Sequence, residues 1–544
     1  MHRYSAFALA AAMLALAPHA QADVTISSKP TRNMDCGTGS VCKATAKNAV
    51  LNATDLANLL ASSNVEVTTG EKDAGIDVEA ALSWTSASKL SLITHGAIAI
   101  DQPISILGSG GLALSAQAQL GPSGRVIFWD TAGKLRIGKE RYTLVDSVAQ
   151  LASAVAQNPD GAYALANDYD ATPDGTYAAA PVADFDGIFD GLGNTISNLT
   201  INDPNSSDQY VGLFSQVLAN DNPRAALRNL TLQNVSVTAN QQSQYAGGLV
   251  GLNFGKTENI RVTGAVTGAM YVGGVAGGAI GDVSLASTDV SIVSDAPLTA
   301  GGVVALAGGN IENSSASGPI DVGNGTAGGL VAQADARIVR SHSSSVITAG
   351  IAGGLAASSN GPVIQCYATG NLTGVTYGAG LVQTNFGDIV QSFATGSISG
   401  GSHESFGGGL VGVNNGSVTQ SYARGDVSTN ETSGGFASNT GKVVEGYSTG
   451  HVTKGGVDGG FVGFLGYSRR QIRSAYWDID TSGFTKATGN HHNVRSIVGL
   501  TTDQFKAGLP DGFDPAVWGQ DPAINDGYPY LLALPPPPPA PHRR

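Results

Sequence analysis

The sequence predicts an all-β chain, a right-handed parallel β-helix (β-solenoid) with short capping helices. Three observations carry this prediction. Glycine supplies 74 of 544 residues and charged residues only 13%, against about 7% and ~25% in ordinary globular chains, which is poor material for a helical bundle or coiled coil. A phrase of about 26 residues recurs nine times from Gly247 onward. Inside each copy, short β-prone runs alternate with Gly, Asn, Asp and Ser, and no window carries the i, i+3, i+4 apolar period of a helix. The 42% hydrophobic content is enough to fill a core, so composition does not predict disorder. A net charge of -13 argues against a nucleic-acid partner, which would require a basic footprint.

Residues 1–22 read as a signal peptide: Arg3, the apolar run Ala6 to Ala17, and Ala20-Gln21-Ala22 as a cleavage site, so that Asp23 begins the mature chain. No later window offers the roughly 20 apolar residues of a transmembrane helix. The expected location is outside the cytosol, secreted or at a bacterial cell surface. In that oxidising setting Cys36 and Cys42 read as a small-loop disulfide. The alternative, a metal or redox pair, lacks His partners and C-x-x-C spacing.

Residues 23–145 form the first region. Short apolar bursts at Val65, Leu90, Ile104, Leu112 and Val126 are punctuated by Gly and Asp, with one short helix over Thr54 to Ala61. In texture this resembles the early β-helix of filamentous-haemagglutinin-type exoproteins. Residues 146–244 follow as a capping helix and solenoid entrance. Val148, Leu151, Ala152 and Val155 keep helical spacing behind a cap at Asp146 or Ser147. Phe185, Gly187, Asp190, Gly191, Gly193 and Ile196 then resemble the entrance strand of pectate-lyase-like β-helices.

The repeat array spans residues 245–475. Its copies start at Gly247-Gly248, Gly273-Gly274, Gly301-Gly302, Gly328-Gly329, Gly353-Gly354, Ala379-Gly380, Gly408-Gly409, Gly434-Gly435 and Gly459-Gly460. The intervals are 26, 28, 27, 25, 26, 29, 26 and 25. Each copy is expected to be one coil of three short strands, stacked on its neighbours at about 4.8 Å. Leu410, Val418 and Val427 should point inward, and the glycines should turn the corners through positive φ. Asn414-Asn415-Gly416 and Asn385-Phe386-Gly387 read as such corners. One coil cannot offset the cost of ordering its backbone, so stability must come from stacking. Aligned copies put Cys366 in the slot of Ser392 and Ser421, a spacer rather than a nucleophile. They put His342 in the slot of Phe393, Tyr422 and Tyr447, an aromatic stack rather than a ligand. The G-x-G-x-x-G match over Gly407 to Gly412 comes from the repeat and has no βαβ context.

The phrase GGLVG at Gly247 and Gly408 resembles the GLUG motif of exported, adhesin-like bacterial repeat proteins. This resemblance covers roughly residues 245–465 and implies a β-solenoid with an extracellular life. It implies no reaction. Residues 476–534 read as a C-terminal cap in which Trp518 and Tyr528 to Leu531 close the last coil, with a short helix opening near Leu500. Residues 535–544 are a proline-rich tail.

Chemistry has few candidates. Asp168, Asp170 and Asp174 could offer oxygens to calcium, but PDG turns at Pro159 and Pro173 make turn and capping aspartates the plainer reading. No catalytic residue and no cofactor is assigned. The leading expectation is an adhesin-like monomer that binds an extracellular glycan or protein through an extended face. The alternative is a carbohydrate-active β-helix enzyme, a polysaccharide lyase or glycosidase, with Asp184, Asp186 or Glu404 as catalytic carboxylates. An ice-binding face would need a regular Thr array. Thr369, Thr395 and Thr449 give only one Thr per coil, and Arg424 interrupts them.

Overall fold

The computed structural model describes residues 24–37, 40–69, 74–219, 222–294, 298–401, 404–466, 471–491 and 494–536. The signal peptide and nearly all of the proline-rich tail lie outside these residues. The chain is a parallel β-solenoid of about 18 turns, 50% strand and 6% helix. It divides into two compact units between Leu144 and Val145.

The first unit is a three-sided coil. Ile76↔Ile98↔Ala118 lie in register on one side, Leu82↔Ile104↔Val126 on the second, and Leu90↔Leu112↔Leu135 on the third. The step is therefore about 22 residues, a period the short bursts conceal. Alternation sets the inside. Leu82 and Trp84 are buried while Ser83 between them is exposed, and Ile104 and Ile106 repeat that pattern one coil on. Each apolar side chain thus rests on an apolar equivalent above and below. Helix α1 (Ala53–Leu60) starts at Asn52, whose side chain accepts from the amides of Thr54 and Asp55, and it buries Leu56 and Leu60. Cys36 and Cys42 are disulfide-bonded.

The second unit opens with α2 (Val148–Gln157). Ser147 caps it and Val148, Leu151 and Val155 are its buried face. Phe185 then packs against Tyr163 and Phe214. Asp190 is fully buried, and it accepts from Leu192 N, Asn229 Nδ2 and Arg228 Nε at 2.9, 3.1 and 3.0 Å. A buried, paired charge of this kind pins one arrangement of the entrance. Strand pairing runs without a break past residue 244: Ala226–Thr238 pairs in parallel with Lys256–Thr267.

The nine phrase starts lie over one another. Gly247↔Gly273↔Gly301↔Gly328↔Gly353↔Ala379↔Gly408↔Gly434↔Gly459 form one continuous register column. Leu410, Val418 and Val427 are fully buried, as alternation requires. The expected three strands hold in some coils and not in others. The coil from Phe406 has three, Phe406–Gly408, Val411–Ala423 and Val427–Ser428, whereas others hold five. The coil from Thr326 has Thr326–Gly328, Val331–Ala334, Ile338–Val339, His342–Ser343 and Ile347–Thr348. The expectation for the phrase glycines is corrected: they do not act through positive φ, since none of them is in the left-handed region.

Their role is close approach. A Cβ on the first glycine of a pair would stand on the carbonyl oxygen three residues ahead, 1.8 Å away for Gly353 and Ala356. A Cβ on the second would strike the next coil, 2.0 Å from the Gly380 oxygen in the case of Gly354. The left-handed corner lies elsewhere and is almost never glycine. Asn313, Arg340, Gln365, Gln391, Gln420 and Glu445 take φ between 47° and 54°, one per coil. Their side chains pair up the stack: Gln365 Nε2 donates to Gln391 Oε1 at 3.0 Å and Gln391 Nε2 to Gln420 Oε1 at 3.1 Å. An amide that hydrogen-bonds its equivalent one coil away offsets the steric cost of the conformation.

The residues from about 502 to 534 are not a plug on the last coil. They lie along the side of the stack, over the aromatic column. Tyr447 OH donates to Pro529 O, Trp518 Nε1 donates to Glu445 Oε2, Arg424 pairs with Asp526, and Tyr528 OH donates to Asp478. Helix α3 (Thr502–Ala507) begins in a Thr501/Gln504 capping box and buries Phe505. The last partial coil is made by Lys486 to Thr488, bonded to Gly460 and Phe461, and by Ile497–Leu500, paired with Ala475–Asp478.

Candidate functional site

Two columns along the stack explain the residues that invited chemical readings. His342, Tyr367, Phe393, Tyr422 and Tyr447 stack face to face with centroids 4.6, 5.0, 4.8 and 5.0 Å apart. Burial lowers the His342 pKa, so the ring sits in the column as a neutral aromatic. Beside it runs a hydroxyl column. Ser314 N donates to Ser341 Oγ, Ser341 N to Cys366 Sγ, Cys366 N to Ser392 Oγ and Ser392 N to Ser421 Oγ. Cys366 is fully buried and its thiol is pushed up to about 12 by burial, the opposite of an activated nucleophile.

The three calcium candidates are each held by protein donors. Asp168 accepts from Thr195 N at 2.8 Å. Asp170 accepts from Thr172 N, Thr172 Oγ1 and Asn198 Nδ2, and these bonds, led by Asn198, lower its pKa. Asp174 accepts from Tyr169 OH and Tyr177 OH at 2.5 and 2.6 Å. Among the described residues no group of three or more His, Cys, Asp or Glu is arranged to hold a metal.

Glu404 is not brought together with Asp184 or Asp186. Asp184 accepts from Gln216 Nε2 at 2.8 Å, and Asp186 follows two residues on, past buried Phe185. Glu404 is exposed on the coil of Phe406. Register pairing places eight strand steps between the coil of Phe185 and that of Val411. At about 4.8 Å per step this is roughly 40 Å, far beyond the ~5–9.5 Å of a glycosidase pair.

What the fold assembles instead is a lateral groove that the sequence did not announce. Two residues before each phrase start, side chains leave one face of the coil. Here Tyr210, Tyr245 and Tyr271 stack at 6.0 and 5.1 Å, and Tyr377 and Phe406 at 5.1 Å. Between Tyr377, Phe406 and Phe464 lies a cavity of about 300 Å³. Tyr377 is 41% and Phe464 47% exposed. Gln383, Thr432 and Asn439 add amides and a hydroxyl to its wall. Gly412 packs closely on Gln383: a Cβ there would stand 2.5 Å from Gln383 O and 3.1 Å from Gln383 Nε2. No carboxylate belongs to the described lining. Aromatic faces with a few fixed polar groups are the usual make-up of a small-ligand site. Part of the signal lies in a column two residues before the phrase start, which runs Tyr245, Tyr271, Thr299, Thr326, Ile351, Tyr377, Phe406, Thr432 and Val457.

Among the described residues no helix is long and apolar enough to cross a membrane. No family model matches the chain. Over 97 residues it is 37% identical to halomucin of Haloquadratum walsbyi, a match that covers 18% of this chain and 1% of halomucin. Among solved structures, an IgA1 protease aligns over 61% of this chain and 21% of its own, at 16% identity and a TM-score of 0.22.

Proposed function

We propose that this chain is an exported, surface-associated β-solenoid of the GLUG-repeat type that holds an extracellular glycan through its lateral face. One observation carries the reading: the stacked rings of exposed Tyr377 and half-buried Phe406, with exposed Phe464, share a groove with amides and a hydroxyl and with no carboxylate among the described lining. Ring faces meet the C–H faces of sugars, and fixed amides and hydroxyls meet their hydroxyls. Cleavage would need acid or base groups in the same place. The similarity of 97 residues to halomucin, a protein named as a mucin, supports a place outside the cell.

The test is a glycan and matrix-protein array run beside a reducing-sugar release assay, with Tyr377→Ala and Phe464→Ala as variants. The reading expects glycan binding without sugar release. It also expects each variant to weaken binding about tenfold or more, equivalent to roughly 1.4 kcal/mol. Sugar release abolished by Asp184→Ala or Asp186→Ala would instead establish the enzyme.

A further inference from the structure

The last partial coil carries a second cavity, of about 620 Å³. Its floor is apolar, from Trp477, Ala487, Val494 and Ile497, and its rim carries Lys486, Arg495 and His491. Gly499 preserves the floor: a Cβ there would meet Trp477 Cζ2 at 2.9 Å and Ile479 Cγ2 at 2.5 Å. No carboxylate lines it among the described residues, although acidic residues outnumber basic ones 42 to 29 in the chain. The acidic side chains nearby are engaged by protein donors: exposed Asp480 accepts from Thr502 N. Asp458 accepts from Gly455 N, Gly456 N and Ser433 N. Asp478 accepts from Asp480 N, Thr481 N, Thr502 Oγ1 and Tyr528 OH. Lys486 and Arg495, by contrast, are exposed and make no ion pair among the described residues. Lys486 also borders a neighbouring cavity of about 540 Å³, whose lining includes Asp458 and where Lys454 Nζ lies 5.5 Å from the centre of the Phe484 ring.

We infer that this end of the solenoid binds an acidic polysaccharide, with Lys486 and Arg495 meeting its carboxylate or sulfate groups and the apolar floor taking a sugar face. Charge complementarity selects the anion. The apolar floor selects a sugar over a nucleic acid. A duplex carries one phosphate per ~1.7 Å and would meet the net repulsion of this chain along its length, whereas a polysaccharide spaces its charges by whole sugars. The inference goes beyond the lateral groove and uses none of its residues.

The experiment is affinity electrophoresis of the full chain through gels containing polygalacturonate, dextran sulfate or neutral dextran. The inference predicts retardation by at least one acidic polymer and none by dextran; which polymer retards identifies the anion. Lys486→Glu/Arg495→Glu should lose at least about tenfold in affinity, with an unchanged circular dichroism melt. Lys442→Glu/Arg473→Glu, exposed basic residues outside the cavity, should bind within about twofold of the parent, as should Phe406→Ala, which reports on the lateral groove alone. The inference is overturned if neither acidic polymer retards the chain, if the cavity variant still binds, if the control pair loses binding equally, or if a DNA oligonucleotide competes as well as the polysaccharide.

Discussion

The two units solve one problem with different sequences. Residues 24–144 stack coils of about 22 residues with no repeated phrase. Residues 145–544 contain coils of 25 to 29 residues marked by a phrase that can be read at a glance. Both keep the same inner rule, an apolar residue over an apolar residue. The difference lies at the corner. In the second unit, each Gly-Gly pair fits beneath a carbonyl of its own turn and against the next coil, with no space for a Cβ. In the first unit the register column of Gly111 holds Lys89 and Lys134, so that slot does not demand glycine, and crowded glycines such as Gly108 and Gly124 do not recur as a phrase. A sequence repeat in a solenoid therefore records a crowded corner; the winding itself is set by the buried strands and can go unmarked.

The largest expected effect tests that corner. Gly354→Val forces a side chain onto the Gly380 carbonyl, and rigid backbone puts it at or above the upper end of the ~1–3 kcal/mol of overpacking. Gly353→Ala should cost less, because Ala379 already occupies the equivalent column. Ser83→Val, on the outer face of the first unit, should be near neutral. Thermal melts of the three variants order them; equal stability of Gly354→Val and the parent would remove the close-approach account.

Next, Leu112→Ala cuts a fully buried side chain that lies between Leu90 and Leu135. A loss of about 2–5 kcal/mol is expected, read as earlier proteolysis within residues 24–144 while the second unit keeps its protection. Simultaneous loss of both units would show that they do not unfold separately.

Alkali should also separate them. Burial raises the pKa of Tyr422, Tyr447 and Tyr476, and that of Tyr528 up to about 12, from a usual 10.0. A raised folded value favours the unfolded state once its own tyrosines ionise. The stabilisation is thus whole below about pH 10 and is lost as pH rises toward 12. The first unit has Tyr142 alone. Trp518 fluorescence and absorbance near 295 nm should report a transition of the C-terminal segment in that window; a flat signal would contradict its packing over the column.

Smaller effects probe single rungs. Cys366→Ser restores the hydroxyl column and should change stability by less than about 1 kcal/mol, while the native thiol should resist a thiol reagent until the chain unfolds. Tyr422 OH is buried and has no hydrogen-bond partner among the described residues, so Tyr422→Phe should be neutral or slightly stabilising. Tyr447→Phe loses its bond to Pro529 O and the Asn525 Nδ2 donor, and should cost about 1 kcal/mol.

Much of this was legible in the residues. The phrase starts fall in one register column, α1 (Ala53–Leu60) lies within a residue of the expected Thr54 to Ala61, α2 begins behind Ser147, and His342 and Cys366 occupy the slots that alignment gave them. Other features left weaker marks. The left-handed corner at Gln391 and Gln420 is hidden because an amide pairing with its equivalent one coil away replaces the expected glycine. The 22-residue step from Leu90 to Leu112 is hidden because only apolarity recurs. The lateral groove unites Tyr377, Phe406 and Phe464 from three coils, and the basic cavity draws its lining from residues spread between Trp477 and Gly499. Neither is a property of any short stretch of sequence.

The central claim is that each phrase is one coil, with equivalent positions directly above one another. Thr348 and Thr373 are such a pair, their hydroxyls 3.0 Å apart, and Ser399 falls on the coil after Thr373. In a Cys366→Ser background, mild oxidation followed by peptide mapping should find Thr348→Cys joined to Thr373→Cys, since adjacent parallel strands lie within the ~4.4–6.8 Å Cα range of a disulfide. Thr348→Cys with Ser399→Cys, two coils apart, should stay reduced. Efficient cross-linking of the second pair, or none of the first, would contradict the account.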